Sequence, residues 1–114
     1  MASSLSRLAP RLAERLGSPL PGHEAHLRMA PRNPDRQADL SVNARDCREA
    51  GVLVLLHPDD AAPSVVLTVR RDHLPDHAGQ IAFPGGQRER GESLSGTALR
   101  EAEEEINLPP ASVD

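Results

Sequence analysis

Between Gly86 and Leu108 the chain reads GQRERGESLSGTALREAEEEINL, and Pro109-Pro110 bars any helix from running further. Ahead of that barrier, Glu103, Glu104 and Glu105 crowd what reads as the last turn of a helix. The helix macrodipole disfavours negative charge there by a few tenths of a kcal/mol or more per residue. Glu101 precedes Glu104 and Glu105 by three and four positions, so like charges stack on one face at a similar cost. A sequence that accepts such penalties points to a compensating cation. Pro84-Gly85-Gly86, just upstream, reads as a backbone loop that helps to hold it.

At about 100° per residue, Glu101, Glu104 and Glu105 share one arc of the helix. Ala98, Leu99, Ala102 and Ile106 fill the neighbouring arc and are expected to bury against a sheet. Ser93 or Ser95 can cap the start. Arg100 stands four residues before Glu104 and can hydrogen-bond a carboxylate on its own or a neighbouring turn.

The order Gly86, five residues, Glu92, seven residues, then Arg100-Glu101-Ala102-Glu103-Glu104-Glu105-Ile106-Asn107-Leu108 closely resembles the Nudix box of the Nudix hydrolases. Asn107 stands where that family has glycine, and Asn is the next most tolerant residue of a left-handed helix end. Upstream, Leu67 to Gly86, with Arg70, His77, Gly79-Gln80, Phe83 and Pro84-Gly85-Gly86, is similar to the signature of the coenzyme A diphosphatase branch. Arg71 and Pro75 depart from that signature, which bears on substrate preference rather than chemistry.

The resemblance implies hydrolysis of a nucleoside diphosphate derivative with a divalent ion, Mg²⁺ or Mn²⁺. It implies Glu101 and Glu105 as the main ligands, with Glu104 sharing the cluster and the Gly85 carbonyl joining it. Magnesium takes oxygen donors and keeps several waters. Catalytic roles fall on Glu101, as ligand or general base, with Arg100 and Glu92 orienting it; some family members take the base from elsewhere. For the coenzyme A branch the implied products are 3′,5′-ADP and 4′-phosphopantetheine. Arg70 is the candidate to contact an anionic group, because its planar fork matches phosphate oxygens, or it is a strand-end surface arginine. His77 and Gln80 either shape the substrate mouth or hold a loop together. Two alternatives stay open: another nucleoside diphosphate derivative, such as a nucleotide sugar, as substrate, or an inactive fragment that binds metal or a partner chain.

The implied fold class is α/β, a Nudix-type α/β/α sandwich with a mixed sheet. The family fold continues past the box with further strands and a closing helix. This chain is therefore expected to hold only the N-terminal half of the fold, as the product of a truncated or split longer gene. Strands are expected over Gly51–Leu56, as a buried apolar run, then Ser64–Arg70 and Gln80–Phe83, leading into the glycine loop and the catalytic helix. The apolar faces of the helix and of the second and third strands are expected to lack their usual cover. Residues 47–114 form the partial domain and residues 1–46 an N-terminal helix and a polar, proline-rich linker.

Within that N-terminal part, leucines at 5, 8, 12 and 16 and arginines at 7, 11 and 15 give an amphipathic helix, interrupted or begun at Pro10. Glu14 and its short length argue against an organellar leader and for a packing or partner helix. Residues 18–46, with Pro19, Pro21, Pro31 and Pro34, read as loop or extended linker.

The 114 residues carry a formal charge of −4, and all thirteen basic residues are Arg. No basic stripe stands out, which argues against a nucleic-acid binder, and no apolar run reaches the roughly 20 residues of a membrane span. Cys47, the one cysteine, forms no internal disulfide, so a reducing, cytoplasmic setting is expected. His73 and His77 have a zinc-like spacing, but Pro75 between them argues against a helix there, and zinc is not expected. Small-molecule nucleotides are the expected partners; oligomeric state is not legible.

Overall fold

A computed structural model describes residues 3–30, 47–70 and 79–114. The chain divides into two compact units, residues 6–47 and residues 1–5 with 48–114.

In the N-terminal part, helix α1 (Ser4–Leu16) runs continuously through Pro10, and no residue of it is buried. A second helix, α2 (Gly22–Met29), corrects the expectation of a loop over residues 18–46. Pro21 adopts φ −65° and ψ −29°, already helical, so it starts the helix rather than preventing it. Glu, Ala, Leu, Arg and Met in the segment are good helix formers. Glu24 in the first turn and His26 and Arg28 in the last complement the macrodipole. Residues 31–46 lie outside the described residues. No helix among the described residues is long and apolar enough to cross a membrane.

The described residues of the second part form six short strands: β1 (Ala50–Val52), β2 (Leu56–His57), β3 (Ser64–Val65), β4 (Thr68–Val69), β5 (Ile81–Ala82) and β6 (Gly85–Gln87). They pair as β1–β6, β2–β3 and β4–β5. All three pairs are antiparallel, so a mixed sheet is not found among the described residues. The glycine segment expected as a loop is itself a strand, with Gly51 opposite Gly86 and Val52 opposite Gly85. Each of the first two expected strands is split in two. The run from Gly51 is also not buried on both faces: Gly51 is buried, while Val52 and Val54 are exposed. One side of β1 meets a helix, and the other has no cover among the described residues. On the second and third expected strands Val69 and Ile81 are each 69% exposed, whereas the apolar face of the helix, also expected to lack cover, is packed, with Ala98 6% and Ala102 0% exposed.

That helix is α3 (Leu94–Ile106). Ser93 caps it, its Oγ accepting from the Gly96 N–H at 3.0 Å. Ser95 bonds to the Ser93 hydroxyl instead, at 3.2 Å. The helix ends in a left-handed residue, Asn107, at φ 54° and ψ 38°. The Asn107 N–H reaches the Glu103 carbonyl at 3.0 Å and the Leu108 N–H reaches that of Ala102 at 3.4 Å, closing the orphan carbonyls as a Schellman turn does. Ala102 and Thr97 are 0% exposed and Ala98 6%. This small core lies where α3 crosses β1. Gly51 makes the crossing possible, since a Cβ there would strike the Leu94 carbonyl oxygen and approach the Ala98 nitrogen to 3.0 Å.

Candidate active site

Arg100 organises the acidic face of α3. Its Nε donates to Glu92 Oε1 at 2.5 Å and its Nη2 to Glu92 Oε2 at 3.2 Å, a two-pronged pairing of guanidinium and carboxylate. The same Nη2 donates to the Gln87 carbonyl of β6 at 3.2 Å. The remaining Nη1 reaches Glu101 Oε1 at 2.9 Å and Glu104 Oε1, one turn on, at 3.2 Å. The guanidinium therefore ties the loop before α3, the strand β6 and two helix carboxylates to one point.

Glu92 receives more than Arg100. Its Oε2 accepts from the Glu89 N–H at 3.0 Å and from the Thr97 hydroxyl at 2.8 Å. The hydrogen bonds from Arg100 first, then from Glu89 and Thr97, hold the Glu92 carboxyl down at about 2. Hydrogen bonding to Glu92, reinforced by Glu101 and Glu104, raises the Arg100 pKa still further above its already high value.

Glu101 is largely covered, its side chain 18% exposed, whereas that of Glu104 is 60% exposed. The Glu101 carboxylate lies directly over Gly86: a Cβ built on Gly86 would stand 2.6 and 2.7 Å from its two oxygens. A side chain at this point of β6 would displace the Glu101 carboxylate. Glu105 is exposed as a residue, yet partial burial of its carboxyl raises its pKa; a hydrogen bond from the Gly85 N–H and the charge of Arg70 oppose that rise, and the charges of Glu101 and Glu104 add to it. Glu105 is thus within electrostatic reach of Glu101, Glu104 and Arg70. Glu103 is exposed and its carbonyl serves the helix end.

Arg70 ends the β4–β5 hairpin, its N–H donating to the Gln80 carbonyl and its carbonyl accepting from the Gly79 N–H, both at 2.9 Å. Its side-chain Nε is buried and has no hydrogen-bond partner among the described residues. Gln80 is exposed. His77, together with Arg71, His73 and Pro75, lies outside the described residues.

Among the described residues, no group of three or more His, Cys, Asp or Glu stands close enough to cage a metal ion. Glu101 and Glu105, hard oxygen donors with Gly85 and Gly86 beneath them, suit an ion that uses one or two carboxylates and fills its shell with water and phosphate oxygens.

Three contributors carry little or no motif signal. Thr97 sits five residues after Glu92 and, at about 100° per residue, between Glu101 and Glu104 on the helix; an uncharged side chain in that acidic arc is its only signal in sequence. Gly51 opens an apolar strand run, where an isolated glycine marks close backbone approach. The Gln87 carbonyl has no signal at all, since any residue supplies one.

The site is a capped helix laid on a glycine strand, with an Arg-centred carboxylate network along the edge where the helix meets that strand. Residues 47–114 match the family model described as NUDIX domain, and the chain belongs to the Nudix family. Over 69 residues it is 49% identical to "Uncharacterized Nudix hydrolase NudL" of Yersinia pestis (strain Pestoides F), a stretch making up 58% of this chain and 33% of that protein. The same figures, 49% over 69 residues, hold for "Uncharacterized Nudix hydrolase NudL" of Yersinia pseudotuberculosis serotype O:1b (strain IP 31758). The aligned stretch thus spans about a third of the length of these curated relatives, 33%.

Proposed function

We propose that this chain carries the catalytic motif of a metal-dependent diphosphatase whose substrate is coenzyme A or a close derivative, cleaved to 3′,5′-ADP and 4′-phosphopantetheine. One observation carries the reading: the Glu101 carboxylate is set against the Gly86 backbone, on the same helix face as Glu105. Glu101 and Glu105 would hold Mg²⁺ or Mn²⁺, with Glu104 at the open edge of the cluster and the Gly85 carbonyl beside it. The bound ion would neutralise phosphate charge and lower the pKa of a water.

The chain's own residues do the rest. Arg100 and Glu92 hold Glu101 in place, the support that metal ligands generally need. Glu101, tied to Arg100 through only one oxygen, keeps the other for the ion or for a proton from the attacking water. Arg70, whose buried Nε has no partner among the described residues, would turn its guanidinium toward a phosphate oxygen, and His77 and Gln80 would shape the entrance for the rest of the substrate. Catalysis of this kind is mainly positioning and electrostatics.

The test is hydrolysis in the presence of Mg²⁺ or Mn²⁺, with product analysis, by the wild-type chain and Glu101→Gln. Release of 3′,5′-ADP from coenzyme A, lost in Glu101→Gln, supports the assignment. Turnover confined to nucleotide sugars would move the substrate elsewhere in the family. Near-normal activity in Glu101→Gln would overturn the role given to the acidic face.

A further inference from the structure

Among the described residues Thr97 is the one uncharged side chain in the Arg100 network, and it is completely buried. It faces β1, where a Cβ on Gly51 would lie 3.1 Å from its own Cβ. A hydroxyl has one proton to give, and two acceptors compete for it: Glu92 Oε2 at 2.8 Å and the Ser93 carbonyl at 3.1 Å. The shorter bond runs to a charged oxygen, and charge-assisted bonds are about twice as strong as neutral ones. The proton therefore goes to Glu92.

The consequence reaches the metal face. Glu92 Oε2 takes Thr97, the Glu89 N–H and Arg100 Nη2, while Oε1 takes Arg100 Nε. Donors arriving from a loop, a buried helix position and a guanidinium leave that carboxylate no rotational freedom. Its plane sets the plane of the Arg100 fork, and the fork presents Nη1 to Glu101 and Glu104. A valine would fill the same space without burying a hydroxyl. The hydroxyl is worth burying for what it bonds.

We propose that Thr97 is a positioning residue for the cation site, locking Glu92 so that Arg100 aims the Glu101 carboxylate; this rests on the diphosphatase reading above. The experiment compares Thr97→Val, Thr97→Ala and Thr97→Ser with wild type in the whole 114-residue chain. Two quantities are measured: exchange of the Arg100 Nε–H with water by NMR, which needs no metal, and Mn²⁺ affinity by calorimetry. Thr97→Val and Thr97→Ala are expected to speed the exchange and weaken Mn²⁺ binding about tenfold, the lower end for residues supporting metal ligands. Thr97→Ser is expected to retain both wild-type values. A folded Thr97→Val or Thr97→Ala with either quantity unchanged overturns the proposal, as does a Thr97→Ser that behaves like them. If Thr97→Val fails to fold, the Thr97→Ala and Thr97→Ser pair decides alone. A wild-type chain that takes up no Mn²⁺ removes the cation site and this proposal together. Uptake that ignores the hydroxyl removes only Thr97's role.

Discussion

The carboxylate of Glu101 occupies the space that any side chain on Gly86 would need. A helix residue and a strand residue fifteen positions apart thus define one point of the site. Gly86→Ala should leave the fold standing, because the atoms it meets are the far end of a movable side chain, at a stability cost of roughly 1 kcal/mol. Displacing Glu101 should nonetheless weaken Mn²⁺ binding about 10–100-fold. Calorimetric titration alongside thermal melts separates the two effects.

Gly51→Ala should behave in the opposite way. The new Cβ meets the backbone of α3 at Leu94 and Ala98, which cannot step aside without moving the helix. The expected loss is at the upper end of overpacking costs, about 3 kcal/mol. Urea denaturation measures it.

At the helix end, Asn107 holds φ at 54°. Asn107→Gly should remain within about 0.5 kcal/mol of wild type, while Asn107→Val should lose about 1–2 kcal/mol, because a β-branched side chain strains the left-handed region. Melting temperatures of the three proteins rank them.

Glu92 makes stability depend on pH in one direction. Its folded pKa, about 2, lies below the ordinary 4.5, so the folded chain holds the charged form more firmly than the unfolded chain does. Its contribution is complete above 4.5 and is lost as pH falls toward about 2. Wild type should lose stability relative to Glu92→Gln across that window and show a constant difference above it. Denaturation midpoints measured at roughly pH 6, 4 and 3 test the sign.

Arg70→Ala should raise KM more than it lowers kcat if the guanidinium binds substrate and transition state alike. Steady-state kinetics with coenzyme A read this directly; equal losses in kcat and kcat/KM would place Arg70 in the transition state instead.

The acidic helix is legible in the sequence because its determinants are local. Ser93 and Gly96, Arg100 and Glu104, Asn107 and Pro109 act within a few residues of one another, and helical periodicity alone brings them into register. The same locality puts Glu101, Glu104 and Glu105 on one face from their spacing. Strand limits are less legible, since each strand lasts only as long as a partner lies beside it. The proline-flanked segment ahead of Ala30 misleads as a loop because Pro21 begins a helix as readily as it breaks one.

What the tertiary structure alone decided are the contacts that cross the chain. The pairing of β1 with β6 puts Gly51 opposite Gly86, turning an apparent loop into a strand. The docking of α3 on β1 buries Thr97 and brings the Gln87 carbonyl to Arg100. Nothing in residue order specifies these meetings, because each depends on which two distant backbones have room to approach. Composition and spacing determined the chemistry that the helix offers; close packing, permitted by two glycines, determined where that chemistry points.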